Sequence, residues 1–144
     1  MPNCVFCQIA SGGIPGAIVF EDEQTLAFLD HRPLFPGHTL LIPRQHIATL
    51  DDVPPPLLSE LSGDARLLAM AVERGLGAQG AFVALNNRVS QSVPHLHFHI
   101  VPRTKGDGLK GFFWPRGKYR DFAHTEETRA ALARAVEELK QQHA

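Results

Sequence analysis

His95-Leu96-His97-Phe98-His99-Ile100-Val101-Pro102 is the stretch that decides the fold. Polar and apolar residues alternate strictly from His95 to Ile100. Successive side chains leave a strand on opposite faces, so period 2 is the signature of a strand with two different sides. His95, His97 and His99 share one face; Leu96, Phe98 and Ile100 share the other. At about 3.3 Å of rise per residue, neighbouring histidines in the row are about 6.6 Å apart at their backbones. Leu, Phe and Ile suit a core. Three histidines do not suit an ordinary solvent face, where Lys, Thr or Glu would serve, so the row points to chemistry.

Working back from this strand, Ala81 to Asn86 reads as another strand, joined to it by the polar loop Asn87 to Pro94. Before that, Leu57 to Leu76 carries apolar residues at helical spacing, started by Pro54-Pro55-Pro56 and ended by Gly75, Gly77 and Gly80. His38 to Ile42 is an apolar run closed by Pro43. Ala17–Glu21 and Thr25–Leu29 flank the turn signal Asp22-Glu23 and form a hairpin. Asp30 to Gly37 contains two prolines and a glycine and is a loop. Cys4 to Ala10 can form a short helix. Beyond the histidine strand, Arg103 to His124 is a glycine- and aromatic-rich loop. Thr125 to Gln141 is a helix, with Thr125 as its N-cap, Glu126-Glu127 in its first turn and a stripe of Ala131, Leu132, Ala135, Val136 and Leu139. The order β-β-β-α-β-β-α implies a mainly antiparallel sheet with helices against it, an α+β domain over residues 1–144.

Composition narrows the classes. The chain has 144 residues, 44% hydrophobic and 20% charged, with a formal net charge of −1. That balance gives no basic footprint for nucleic acid or a membrane surface. No apolar run reaches the roughly 18 residues of a membrane-spanning helix, and Met1-Pro2-Asn3-Cys4 has no secretory pattern. A cytoplasmic location is the expectation. The two cysteines form one CxxC, Cys4 and Cys7, which in a reducing compartment suggests metal binding or redox chemistry rather than a structural disulfide.

His95-Leu96-His97-Phe98-His99-Ile100-Val101-Pro102-Arg103 resembles the motif of the histidine triad (HIT) family. Further matches follow in order: Val5-Phe6-Cys7-Gln8-Ile9, Ile14-Pro15, Phe20-Glu21-Asp22-Glu23, Leu26-Ala27-Phe28-Leu29-Asp30, Pro36-Gly37-His38, Ile42-Pro43-Arg44-Gln45-His46-Ile47, Asn86-Asn87 and Gln91-Ser92-Val93. They cover residues 4–105. The resemblance implies a five-stranded antiparallel sheet with two main helices, dimerised so that two sheets join into ten strands. It also implies a nucleotide-binding hydrolase or transferase, acting on purine nucleoside phosphoramidates or dinucleoside polyphosphates.

Such chemistry needs a nucleophile, a proton donor for the leaving group and donors for phosphate oxygens. Histidine suits the first two near neutral pH. By resemblance His97 is the nucleophile that becomes nucleotidylated and His99 contacts the phosphate. Ser92 donates to the phosphate or leaving group, Gln91 orients phosphate or water, and Asn87 orients the network. The Arg88-Val89-Ser90 loop is two residues shorter than in many members. Asp30 stands where the family binds ribose hydroxyls, as carboxylates do in dinucleotide sites. Phe6, Ile14, Phe28 and His31 stand where it sandwiches the base, although apolar residues there suit any core. Cys4, Cys7, His46 and His95 match the zinc ligands of some bacterial members, and a closed Cys2His2 site would be structural. The segment Gly111-Phe112-Phe113-Trp114-Pro115-Arg116 resembles the Trp-Pro near the end of the purine phosphoramidase branch. His38 matches a family position after Pro-Gly, with no role assigned to it beyond packing or hydrogen bonding in the site. Two other readings use the same residues: a zinc-dependent hydrolase with the histidine row as catalytic ligands, and a non-enzymatic nucleotide-binding or interaction protein.

Overall fold

The computed structural model describes residues 3–109 and 116–142. Two compact units are present, Met1–Asp107 and Gly108–Ala144. The first holds α1 (Val5–Ala10), β1 (Ile18–Glu21), β2 (Thr25–Leu29), β3 (Thr39–Pro43), a single 3-10 turn (Leu50–Asp52), α2 (Pro55–Leu76), β4 (Gly80–Ala84) and β5 (Phe98–Arg103). The strands form one antiparallel sheet in the order β1-β2-β3-β5-β4. The second unit holds α3 (Phe122–Gln142). The aromatic residues Phe112, Phe113 and Trp114, and with them the expectation for a Trp-Pro tail, lie outside the described residues.

The sheet separates two apolar clusters. On one face Ala27, Leu41, Leu96 and Ile100 pack with Leu57, Leu61, Ala65, Leu68 and Val72 of α2. Those five helical positions recur every three to four residues, the spacing that puts side chains on one stripe. On the other face Leu26, Phe28, Leu40 and Ile42 pack with Cys4 and Phe6 at and in α1. Alternation along β2 and β3 therefore sorts neighbours to opposite sides. Leu96, Phe98 and Ile100 go to the α2 face, which sends the histidine row to the side that α1 covers.

Element boundaries differ from expectation for physical reasons. The β5 ladder starts at Phe98 rather than His95. Its pairing with β3 stops at Leu41↔Phe98, near the end of a strand closed by Pro43, which has no N–H to offer. Leu96 N–H turns instead to Ile47 O, 2.7 Å away. The helix over α2 starts at Pro55, two residues earlier than Leu57, with proline at its first position. It ends at Gly77, whose φ of 71° is left-handed, with Gly77 and Ala78 N–H closing on Glu73 and Val72 carbonyls. Met70 of α2, apolar but off the buried stripe, is 49% exposed.

Within the second unit the cap of α3 is Asp121, not Thr125. Asp121 Oδ1 accepts from His124 N–H at 2.8 Å, three residues on, as an N-cap carboxylate does. Thr125 lies inside the helix and its hydroxyl donates back to Asp121 O. Among the described residues no helix is long and apolar enough to cross a membrane.

Candidate active site and metal-ligand cluster

The histidine row is divided by its hydrogen bonds. A carbonyl can only accept and a backbone N–H can only donate, so each partner fixes which ring nitrogen holds the proton. His97 Nδ1 lies 2.8 Å from His95 O and must donate to it. In the neutral ring the Nε2 lone pair is then free. His97 is 5% exposed, and its ring meets Phe6 edge-on at 5.1 Å and His99 at 5.0 Å between centroids.

His99 is held by His38, for which the sequence suggests no more than packing or hydrogen bonding in the site. Leu34 N–H donates to His38 Nδ1 at 3.1 Å. A neutral His38 therefore carries its proton on Nε2 and donates it to His99 Nδ1, 2.9 Å away. His99 in turn keeps its proton on Nε2. Burial lowers the pKa of His38, and Asp30 only partly opposes this; their closest approach is 3.8 Å. Burial, followed by the neighbouring His97 and His38 rings, brings the His99 pKa down to about 4. Both rings are neutral near pH 7. His38 can occupy this place because Gly37 precedes it. Gly37 has φ 100°, and an added Cβ would collide with Leu76 and lie 3.1 Å from Pro102 Cγ.

His97 and His99 line a cavity of about 580 Å³, within the range of small-molecule sites. Phe6, Ile14 and Phe28 form an apolar wall, with Phe6 and Phe28 edge-to-face at 5.4 Å. Asp30, His31 and Ser92 also line it. Asp30 Oδ1 accepts from Arg32 N–H at 2.9 Å, leaving Oδ2 as its second acceptor. The His31 side chain is 91% exposed, so it stands at the rim rather than under a stacked ring. No lysine or arginine is among the described residues that line the cavity.

Asn87 and Gln91 do not line this cavity. Asn87 accepts from Leu50 N–H at 2.9 Å and donates to Asp51 at 3.0 Å. Gln91 Oε1 accepts from Arg88 N–H, and Gln91 Nε2 donates to Ala48 O. Both amides staple the loop to the 3-10 turn and the residues just before it. The staple holds Arg88 and Ser90 at φ 75° and 61°, conformations that side chains other than glycine's rarely adopt. Of the three loop residues assigned to catalysis, Ser92 alone lines the cavity among the described residues.

Cys4, Cys7, His46 and His95 converge, with their ligand atoms all within 4.8 Å of one another. His95 is fully buried, and its Nε2 donates to Pro43 O at 2.8 Å. That bond leaves the Nδ1 lone pair facing Cys4 Sγ at 3.4 Å and Cys7 Sγ at 3.5 Å. His46 Nδ1 is 3.3 Å from Cys7 Sγ. Tetrahedral zinc, with bonds of about 2.3 Å to sulfur and about 2.0–2.1 Å to nitrogen, sets S···N edges of about 3.6 Å. The donor set and its spacing fit such an ion. Burial, then the adjacent Cys4, raises the Cys7 pKa; a cation among the sulfurs would reverse that. Burial lowers the pKa of His95, keeping it the neutral ligand a metal needs.

The family model for the HIT domain matches residues 11–106. An uncharacterised HIT-like protein of Methanocaldococcus jannaschii is 44% identical over 109 residues, 73% of this chain and 82% of that one. Adenosine 5'-monophosphoramidase of Schizosaccharomyces pombe is 36% identical over 115 residues, 78% of this chain and 84% of that one. Among solved structures, a zinc-bound histidine triad family protein from Mycobacterium smegmatis matches with a TM-score of 0.73 and 37% identity, over 94% of this chain and 97% of that one. The chain belongs to the HIT, or histidine triad, family. Its CxxC, together with His46 and His95, fits the cysteine-containing type.

Proposed function

We propose that this protein is a nucleotide hydrolase that cleaves a nucleoside 5'-phosphoramidate at phosphorus through a covalent nucleotidyl-His97 intermediate. The observation that carries the reading is the bond from His97 Nδ1 to His95 O, which leaves a lone pair on Nε2 of a ring lining the cavity. Nε2 attacks phosphorus, the P–N bond to the leaving amine breaks, and the amine takes a proton, with the Ser92 hydroxyl among the donors that line the cavity. Water then attacks phosphorus, the P–Nε2 bond breaks, one proton is released, and neutral His97 returns. One proton enters and one leaves. His99 Nε2–H donates to a phosphate oxygen, Asp30 accepts from ribose hydroxyls, and Phe6, Ile14 and Phe28 meet the base.

The leaving group follows from charge. A dinucleoside polyphosphate would expel a polyanion, and the described cavity lining offers it no cation. An amine needs only a proton. The monophosphoramidase name of the fission yeast relative supports the same choice. The cysteine–histidine cluster is read as a structural zinc site, since four protein ligands leave no open position for substrate. The zinc-bound mycobacterial relative supports that reading. The alternative of a catalytic metal on the histidine row is disfavoured by the bonds that tie each Nδ1 of the row to a different partner. The test is kcat/KM over adenosine phosphoramidate and diadenosine polyphosphates, since that ratio measures discrimination. The phosphoramidate is expected to lead by at least about tenfold, which is 1.4 kcal/mol. Equal or reversed ranking would overturn the leaving-group assignment, and no turnover of either would remove the hydrolase reading.

A further inference from the structure

We propose that Arg44 is a positioning residue that sets the affinity of the cavity for the nucleotide base, acting through α1 and not on the reacting atoms. The inference rests on the reading of the cavity as a nucleotide site. The apolar wall of that cavity is built from Phe6 and Ile9 on α1, Ile14 just after it, and Phe28 on β2. α1 has six residues, too few for a helix to hold itself in water. Its wall residues stay in place only if both ends are tied.

The N-terminal end is tied by the Cys4–Cys7 side of the ligand cluster. At the other end, the chain turn takes up the carbonyls of Cys7, Gln8 and Ile9 through the N–H groups of Ser11, Gly13 and Gly12. The next carbonyl, Ala10 O, accepts from Arg44 Nη1 at 3.0 Å. The same guanidinium donates through Nε to Asp22 O at 2.6 Å and through Nη2 to Glu21 Oε2 at 2.8 Å. Both lie at the β1–β2 turn, which is itself locked by Asp22 Oδ1 accepting from Gln24 and Thr25 N–H at 2.9 Å each. A planar fork can hold three fixed acceptors at once; an ammonium cannot match that geometry.

The placement of Arg44 in the sequence gives the arrangement its meaning. It lies between Pro43, whose carbonyl orients His95, and His46, which joins the ligand cluster. One four-residue segment, 43–46, at the end of β3 thus holds the nucleophile strand and both ends of α1. The cysteine–histidine cluster serves the end of α1 nearest His95. Arg44 serves the end where Ile9 and Ile14 face the cavity.

The test is binding of AMP and of ribose 5-phosphate, which lacks the base, to wild type, Arg44→Met and Arg44→Lys. Zinc per chain, kcat and hydrogen exchange over residues 5–14 are measured alongside. Loss of a charge-assisted fork is expected to weaken AMP binding to Arg44→Met by about tenfold. Ribose 5-phosphate binding, zinc content and kcat at saturating nucleoside phosphoramidate should stay within about twofold, and exchange over residues 5–14 should quicken. Arg44→Lys should fall between, since a single ammonium nitrogen cannot reach all three acceptors. AMP affinity unchanged in Arg44→Met, or ribose 5-phosphate weakened equally, would overturn the proposal while leaving the hydrolase reading intact. If wild type binds no AMP, the nucleotide reading falls and this inference falls with it.

Discussion

At the scale of single residues, one backbone N–H governs two imidazoles. Leu34 N–H occupies His38 Nδ1, and that choice passes through His38 to His99. On the proposed mechanism His38→Ala frees His99 to take the wrong tautomer, and kcat/KM is expected to drop about a hundredfold. His38→Gln, whose amide can still donate to His99 Nδ1, should recover part of it. Nitrogen-15 shifts of the His99 ring check the cause: the Nε2–H form should dominate in wild type and lose its dominance in His38→Ala. The His99 pKa of about 4 against an ordinary 6.5 also makes a stability prediction. Between those values the unfolded chain binds the extra proton and the folded chain does not, so stability rises with pH through that window. It is fully present above pH 6.5 and lost as pH falls toward 4. At about 1.36 kcal/mol per pH unit this amounts to roughly 3 kcal/mol, to be read from denaturant midpoints at pH 4.5 and 7. A flat profile would contradict it. The sequence allows His38 packing or hydrogen bonding in the site, but neither its partner nor the tautomer it sets is legible there. His38 begins an apolar run after Pro-Gly, and its partner lies 61 positions away. The direction of Asn87 and Gln91 was equally hidden, because a short polar amide in a loop can face a phosphate or a neighbouring turn with the same sequence pattern.

At the scale of elements, period and punctuation carried the reading well. The alternation from His95 to Ile100 correctly gave the two faces, although the sheet ladder begins only at Phe98. What alternation cannot supply is what covers a face. Here it is α1, a helix six residues long whose position depends on side chains from Arg44, His46 and His95. At the start of α3, Thr125 and Asp121 are both good capping types four residues apart, and only the backbone decides between them. If the cluster holds structural zinc, purified protein should contain about one zinc per chain. Cys7→Ser should lose most of it and roughly 4 kcal/mol of stability, the range of lost metal sites. Metal-stripped protein that remains folded should still turn over substrate. Immediate loss of activity from a chain that stays folded would favour a catalytic metal instead.

At the scale of the whole molecule, the sheet of the first unit has two edges, β1 and β4. β1 is interrupted by a register shift between Ile18 and Phe20, a device that protects an edge from pairing. β4 pairs regularly with β5 along its full length, and its Val83 is 44% exposed. The proposed homodimer, with two sheets joined into ten strands, therefore uses β4. Light scattering should give twice the chain mass, and Val83→Lys should shift it toward the single chain; a monomeric wild type would contradict the proposal. The resemblance in the sequence covered the first unit and named the family. Beyond residue 105 the sequence offers only the Trp-Pro resemblance of residues 111–116, so the role of the second unit is not carried by the motif. On the proposed mechanism one histidine of the row is a nucleophile and the others are not. Rapid quenching of wild type during turnover of adenosine phosphoramidate, followed by peptide mass analysis under alkaline conditions that preserve a P–N bond, tests it most directly. A nucleotidyl adduct on His97, absent from His97→Ala, which should lose at least about 10³-fold in kcat, is the predicted result. Wild-type-like turnover by His97→Ala, or an adduct on His95 or His99, would contradict it.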